Sequence, residues 1–220
     1  MRRVGLVVAS SIVVGIAVVA CASQPYFVAE EEPWREEAER ACLGAGIVPQ
    51  TPYIVQRSAL GGPSHCGALH PYKVAAASYG TVSFKPPAIM RCPMVPVVDR
   101  WVSQVVQPAA QRHYRQPVVG LKVISSYSCR PMNNVHGARL SEHGYANALD
   151  VAQFKLADGR SVSVLKGWRG AAADRAFLRQ IHRGACGMFS TVLGPNYDRS
   201  HRDHFHVDLA RRRGGRKVCR

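Results

Sequence analysis

The residues best suited to chemistry lie near the C-terminal end of the chain, where three of its nine histidines, His201, His204 and His206, fall within six residues. Polar and β-forming side chains alternate from His204 to Leu209. Successive side chains of a strand point to opposite faces, so we expect His204, His206 and Asp208 to share one face and the apolar residues between them to face the core. Backbone positions two residues apart on a strand are about 6.5–7 Å apart, which suits one metal ligand beside one orienting or catalytic group.

A second polar group lies upstream, within an apolar part of the chain. Gly144 follows His143, and Asp150 lies between Leu149 and Val151. A buried carboxylate needs a charged or hydrogen-bonded partner, which a structural salt bridge or a divalent cation would supply. Two neutral imidazoles, one carboxylate and a water make a catalytic zinc site, whereas four protein ligands make a structural one. The pattern favours a metal site that joins His143 and Asp150 to the histidine-rich strand.

The combination of His143-x6-Asp150 with the later His204-x-His206 resembles the motif of the LAS zinc peptidases, which include lysostaphin, D-Ala-D-Ala metallopeptidases and sonic hedgehog. Longer stretches resemble the bacterial extensin-like C-terminal domain family, over roughly residues 40–219. They are residues 126–130, 141–144, 154–159, 192–195 and 203–206.

The resemblance to the LAS peptidases implies that His143, Asp150 and His206 hold Zn²⁺ for amide hydrolysis. D-Ala-D-Ala dipeptidases have a glutamate three positions before the first histidine of the His-x-His pair, where this chain has His201. A histidine at that position is similar to the penicillin-insensitive murein endopeptidases. This similarity implies that His204 is the general base or stabilises the transition state, and that His201 assists or orients it.

Arg130 follows a predicted strand over residues 118–127. In D-Ala-D-Ala dipeptidases an arginine after a similar Ser-x-Tyr strand end faces the substrate carbonyl, which implies an oxyanion-stabilising role for Arg130. Ser128 and Cys129 separate Tyr127 from Arg130 here, so a surface ion pair is the alternative.

Four neighbouring residues are candidates for supporting roles. Asp203 and Asp208 would orient a ligand imidazole or form surface salt bridges. Ser141 and Glu142 would shape the turn before His143, with Glu142 as an alternative general base.

The N-terminal segment is typical of bacterial export. A basic start precedes an apolar run of 17 residues, 4–20, and residues 18–21 resemble a lipobox in which Cys21 is lipidated. Ordinary signal cleavage and an uncleaved anchor are the alternatives, since 17 residues reach the short limit for a membrane span. We therefore predict a periplasmic protein anchored to the membrane through Cys21, with a signal peptide over residues 1–21, a tether over 22–33 and one domain over 34–220.

Six cysteines remain after Cys21, and none of them forms a Cys-x-x-Cys pair, which argues against a thiolate zinc site. An even number of cysteines in an exported chain predicts three disulfides, although six cysteines allow 15 connectivities. We expect Cys66 to hold a loop-rich segment over residues 44–88 and Cys219 to hold the C-terminal tail.

The net charge is +15, partly from a basic run over residues 211–217. Export and the lack of aromatic residues interleaved with the basic ones argue against nucleic acid as a partner. We expect a solvated tail that is attracted to the anionic cell envelope.

The segments predict one α+β domain, in which a small, mainly antiparallel sheet carries the zinc site, helices cover its other face and disulfides staple the chain. The predicted helices are 34–43, 97–114 with a kink at Pro108, and 171–185. The predicted strands are 52–56, 79–84, 118–127, 148–156, 161–164, 189–193 and 203–209.

These expectations together predict an exported zinc metallopeptidase that hydrolyses amide bonds in peptidoglycan peptides, of the murein endopeptidase or D-Ala-D-Ala carboxypeptidase type. The absence of the glutamate favours endopeptidase action. One alternative is a metal-containing protein that binds peptidoglycan without cutting it. Another is an envelope lipoprotein in which the metal only stabilises the fold.

Overall fold

The computed structural model describes Met1, residues 26–30 and residues 32–220 of the chain. The predicted signal peptide, the lipobox with Cys21 and the first residues of the predicted tether lie outside the described residues. None of the helices in the described ranges combines the length and the apolar character needed to cross a membrane.

One mainly antiparallel sheet of nine strands lies at the centre of the described structure. Its strands are β1 (Ile54–Gln56), β4 (Tyr72–Ala77), β5 (Val82–Met90), β6 (Val118–Ser125), β7 (Ala148–Leu156), β8 (Ser161–Ser163), β9 (Thr191–Leu193), β10 (Phe205–Asp208) and β11 (Val218–Cys219). The order is β1-β4-β5-β6-β7-β10-β9-β11, and β8 pairs with β7. The pairs β5–β6 and β9–β11 are parallel. Two short strands, β2 (Leu60–Gly61) and β3 (Gly67–Ala68), form a separate ribbon. The predicted antiparallel character is confirmed, but the sheet is larger than expected.

Helices flank this sheet. They are α1 (Trp34–Gly44), α2 (Met94–Trp101), α3 (Gln107–Tyr114), α4 (Val164–Gly167) and α5 (Ala172–Met188). A π-helical turn over Val102–Val106 connects α2 to α3, so the irregularity lies one turn before the predicted kink at Pro108. The Trp101 indole packs edge-on against Phe154 of β7 and donates a hydrogen bond of 3.1 Å to the Ile181 carbonyl of α5. This contact joins two helices and the sheet in one core.

The two faces of β7 and β10 differ as the alternation of side chains predicts. Leu149 and Val151 of β7 belong to the apolar core with Phe205 and Val207 of β10. The residues between them project to the other face, because side chains alternate along a strand. The face opposite the core is therefore left for polar side chains.

The segment over residues 44–88 contains more strand than the sequence predicted. β4 was not predicted, because its second half consists of alanines and shows no alternation of apolar and polar residues, although Lys73 is exposed between two buried side chains. β5 continues beyond Phe84, the predicted end of this strand, through Pro86 and Pro87. The pairing of β4 with β5 is interrupted between Ala88 and Ser83, so the prolines lie in a bulge where no ladder hydrogen bond is needed.

Three disulfides staple the fold and use all six predicted cysteines. They join Cys42 to Cys92, Cys66 to Cys129 and Cys186 to Cys219. The second bridge joins Cys66, in the loop-rich segment over residues 44–88, to the loop after β6. The third bridge joins β11 to α5. The predicted roles of Cys66 and Cys219 as anchors of the loop-rich segment and of the tail are confirmed.

Candidate metal centre

The polar face of β7 and β10 carries the candidate site. Asp150 lies near the start of β7 and is directly opposite His206 on the antiparallel strand β10. His143 belongs to a 3-10 turn, Glu142–Tyr145, that ends just before β7. The Ser141 hydroxyl caps this turn by accepting the His143 backbone N–H at 3.4 Å, so the predicted role of Ser141 in shaping the turn agrees with the geometry.

The three predicted ligands meet at one buried point. His143 Nε2 lies 3.1 Å from Asp150 Oδ2, and His206 Nδ1 lies 2.9 Å from Asp150 Oδ1. The two ring nitrogens are 3.2 Å apart. No more than 8% of any of these three residues is exposed. The structure therefore brings together residues that are up to 63 positions apart in the chain.

The other nitrogen of each imidazole has a partner that sets the ring orientation. His143 Nδ1 lies 2.8 Å from the Ser126 carbonyl, which can only accept, so Nδ1 carries the hydrogen and the lone pair is on Nε2. His206 Nε2 lies 3.1 Å from Asp208 Oδ2, which makes Nε2 the donor and leaves Nδ1 directed at Asp150. Such partners fix the tautomer and orientation of ligand histidines in metal sites. Asp208 therefore has the position expected of a residue that orients the His206 ring.

The donor set fits a divalent cation. Two lone-pair nitrogens and a carboxylate face each other at close range, an arrangement that is repulsive unless a proton or a metal ion lies among them. Ligands about 2.0–2.2 Å from a tetrahedral zinc ion lie roughly 3.3–3.6 Å from each other. The observed separations of 2.9–3.2 Å are slightly shorter than these ligand-to-ligand distances. Nitrogen and oxygen ligands of this kind suit zinc.

The pKa values of the cluster likewise indicate that the buried Asp150 carboxylate requires a positive charge beside it. Burial alone would raise the pKa of Asp150, but the charges of His143 and His206 and their hydrogen bonds outweigh burial and hold that pKa well below its usual range. Burial would likewise lower the pKa of His206, yet hydrogen bonds with Asp150 and Asp208 and the charges of these carboxylates raise it to about 10. The carboxylate is ionised, and its charge must be balanced inside the cluster.

His204 and His201 lie beside this point and are oriented in the same way. Asp203 holds His204 Nδ1 at 2.8 Å, and His204 Nε2 is 3.7 Å from Asp150 Oδ2. Asp198 holds His201 Nδ1 at 2.7 Å, and the His201 ring centre is 5.3 Å from that of His204. Burial lowers the pKa of His201 and outweighs the opposing effect of Asp198, which favours the neutral imidazole. Both rings keep Nε2 available as an acceptor.

Glu142, the alternative general base, is engaged elsewhere. Its carboxylate accepts hydrogen bonds from both terminal nitrogens of Arg35, at 2.6 and 2.7 Å, and from the Asn147 side chain at 2.6 Å. Arg35 also stacks on the Tyr145 ring at 3.9 Å. This buried arginine therefore anchors the turn that carries His143, a role that the sequence did not indicate. The geometry disfavours Glu142 as a base, because its charge is held by Arg35.

The site opens into a cavity of about 780 Å³. Arg130 lines this cavity. Its Nη1 atom donates a hydrogen bond of 3.5 Å to the carbonyl of the adjacent Pro131. No carboxylate of the described residues lies within ion-pair distance of Arg130, so the predicted surface ion pair is not observed there. Its guanidinium is available to a substrate.

Residues of the predicted tether form part of the cavity wall. Val28 donates its N–H to the Ala138 carbonyl at 3.0 Å and accepts the N–H of Leu140 at 2.7 Å. Phe27 is buried in a small apolar cluster with Leu140. Several exposed apolar side chains line the same cavity: Val28, Ile124, Met132 and Tyr197. Such a concentration of exposed apolar groups around a polar centre is typical of a binding cleft.

Polar side chains extend outward from His206 through Asp208 and Thr191 to Arg212. Asp208 accepts from His206, and although burial would raise the pKa of its carboxyl, His206 and, to a smaller extent, the Thr191 side chain lower it. The Thr191 oxygen in turn accepts from Arg212 Nη2 at 2.8 Å. Thr191 is 3% exposed, so water does not replace these bonds. No sequence pattern marks Thr191, whose place beside Asp208 is set by the pairing of β9 with β10.

Replacing Thr191 with valine should weaken zinc binding about tenfold, because Asp208 loses the hydroxyl that helps to stabilise its charge and holds His206 less firmly. Competition with a fluorescent chelator would measure the affinity. Thr191→Ser keeps the hydroxyl and should bind zinc as the wild type does. Unchanged zinc affinity in Thr191→Val, which keeps the shape of the side chain, would refute the role of the hydroxyl.

One other group of potential ligands occurs among the described residues, formed by His182, Cys186 and Cys219. The two cysteines are joined in a disulfide, so they offer no thiolates. This group is not a metal site in the oxidised protein.

The comparisons with known proteins give one family. The family model described as "Extensin-like protein C-terminus" matches residues 40–220, nearly the whole described chain. No curated protein matches the chain. No solved structure matches it either.

Proposed function

We propose that this chain, which belongs to the extensin-like protein C-terminus family, is an exported zinc-dependent peptidase that hydrolyses amide bonds in murein peptides, with endopeptidase action favoured. The observation that carries the proposal is the convergence of His143, Asp150 and His206 within 3.2 Å of one another in the wall of an open cavity. The motif formed by these residues and His204 resembles that of the LAS zinc peptidases, which supports this reaction class.

Zinc bound by these three residues would polarise a scissile carbonyl and lower the pKa of a water molecule towards about 7. His204 is the residue best placed to move the proton. Asp203 holds its Nδ1–H, so the free Nε2 faces the site and accepts a proton from the attacking water. The resulting imidazolium then donates that proton to the leaving amine. Asp203 stabilises the charged form during this exchange.

His201 and Arg130 take supporting roles in the proposal. The His201 ring lies 5.3 Å from His204 and 5.8 Å from His206, measured between ring centres, and helps to hold both in place. Arg130 lines the cavity without a carboxylate partner among the described residues and would stabilise the oxyanion that forms on the scissile carbonyl.

The proposed substrate class rests on the predicted location and on the charge of the protein. A signal peptide with a lipobox at Cys21 would place the chain in the periplasm on a membrane anchor, where the peptidoglycan polymer is within reach. A net charge of +15 favours an encounter with anionic polymer. Labelling with palmitate, present in the wild type and absent from Cys21→Ser, would test the anchor.

Release of soluble muropeptides from purified sacculi tests the activity directly. We expect release by the zinc-loaded protein, loss of release with a chelator and recovery on adding zinc. Mass spectrometry of the products would identify the bond that is cut. Release that a chelator leaves unchanged would contradict the metal mechanism.

The alternative of a non-catalytic protein that binds peptidoglycan is favoured by one distance. His204 Nε2 lies 3.7 Å from Asp150 Oδ2, close enough for a small shift to make it a fourth zinc ligand. Four protein ligands would close the site and leave no position for water. In that case the protein would sediment with sacculi and release nothing.

A further inference from the structure

The basic run at the C-terminal end of the chain divides into two parts. Arg211 and Arg212 line the cavity of the metal centre. Arg213, Arg216 and Lys217 belong to the same run, but they do not line that cavity. The run is therefore more than a uniformly solvated tail.

The structure holds the first part of the run against the site. Arg212 is half-buried and donates to the Thr191 hydroxyl at 2.8 Å, while Arg211 is exposed. The tail then returns to the sheet as β11, which pairs with β9, and the bridge from Cys186 to Cys219 secures it to α5. Arg211 thus extends from a backbone that is fixed at both ends.

The carboxylates of the cavity do not form ion pairs with these two arginines. The carboxylates that line it are Glu30, Glu32, Glu142, Asp150, Asp203 and Asp208. Arg35 pairs with the second and third of these, the aspartates lie beside site histidines, and Glu30 forms no ion pair in the described part of the chain. Among the described residues, no carboxylate lies within 4.0 Å of the guanidinium of Arg211 or Arg212. The wall beside β10 therefore presents positive charge next to a site that would itself hold a cation.

We propose that Arg211, supported by Arg212, binds a free carboxylate of the peptide substrate, so that the cleft selects anionic peptides. This inference rests on the proposed function and names the substrate class of the same site. A guanidinium binds a carboxylate through two parallel hydrogen bonds, which fixes the orientation of the ligand as well as its charge. A flat anionic membrane would instead meet the part of the run outside the cavity, Arg213 and Arg216.

A matched pair of variants separates the two parts of the run. Arg211→Gln and Arg213→Gln each remove one charge from an exposed side chain of the same run, but only Arg211 lines the cavity. The probes are a murein stem peptide with free carboxylates and the same peptide with its carboxylates amidated. Their affinity for the zinc-loaded chain is measured by calorimetry, and mass spectrometry records afterwards whether the peptide was cut.

For the peptide with free carboxylates, we expect Arg211→Gln to weaken binding about three- to tenfold and Arg213→Gln to change it less than about twofold. The amidated peptide should bind the wild type and Arg211→Gln alike. Wild-type binding of the charged peptide should weaken with salt, since the contact lies at a cavity mouth that solvent reaches.

Equal affinity of the wild type for the charged and amidated peptides would overturn the inference, as would equal effects of the two substitutions. A variant Arg211→Gln that loses affinity only for vesicles of anionic lipid would assign the residue to a membrane surface instead. These outcomes are independent of catalysis. Selective binding without cleavage would refute the peptidase and keep the inference, whereas cleavage of both peptides at equal rates would do the reverse.

Discussion

His206→Ala should lose zinc and peptide hydrolysis together. The substitution removes the Nδ1 atom that lies 2.9 Å from Asp150 and leaves that buried carboxylate with one imidazole nitrogen instead of two. We expect the zinc affinity to fall by more than about 100-fold, because even residues that only support a ligand cost 10- to 100-fold. Metal content after dialysis and muropeptide release from sacculi would measure the two effects.

The matched control is His70→Ala, which removes an exposed imidazole that does not line the cavity. It should leave zinc content and hydrolysis unchanged. A protein with His206→Ala that is still folded, as judged by circular dichroism, and still retains stoichiometric zinc would refute the assignment of His206 as a ligand. If the variant does not fold, Asp208→Asn offers a milder test, because it weakens the orientation of His206 and keeps the ring.

His204→Ala should keep most of the zinc and lose turnover by about 10²- to 10⁴-fold, the range typical of a general acid–base group. The contacts among His143, Asp150 and His206 do not include His204. Its Nε2 is farther from Asp150, at 3.7 Å, and its Nδ1 is held by Asp203. Zinc affinity and single-turnover rates, measured on the same preparation, would separate binding from proton transfer.

Equal loss of zinc in His204→Ala and His206→Ala would show that both histidines are ligands. That result would support the closed site and the non-catalytic alternative. Zinc retention with unchanged turnover in His204→Ala would refute His204 as the base and make His201 the candidate for proton transfer. Asp198 orients His201 in the same way.

The sequence alone determined the local features of the site. Alternation from His204 to Leu209 predicted a strand with imidazoles on one face and apolar residues in the core, and β10 confirms it. Residues 148–156 were predicted as the strand that carries Asp150, with the bounds that β7 has. Such patterns depend on neighbours within a few residues, because the period of the side chains is a local property of the backbone.

The tertiary structure decided which side chains support the site. Asp150 and His206 are 56 residues apart, and they meet only because β7 and β10 pair in one register. Arg35 reaches Glu142 across 107 positions, and Arg212 reaches Thr191 across 21. No periodic pattern marks these residues, since each acts through one long-range contact whose partner is set by the packing of the sheet and its flanking segments. Arg211 differs from Arg213 for the same reason: the two are alike in sequence, and only the path of the chain between β10 and β11 places one of them in the cavity wall.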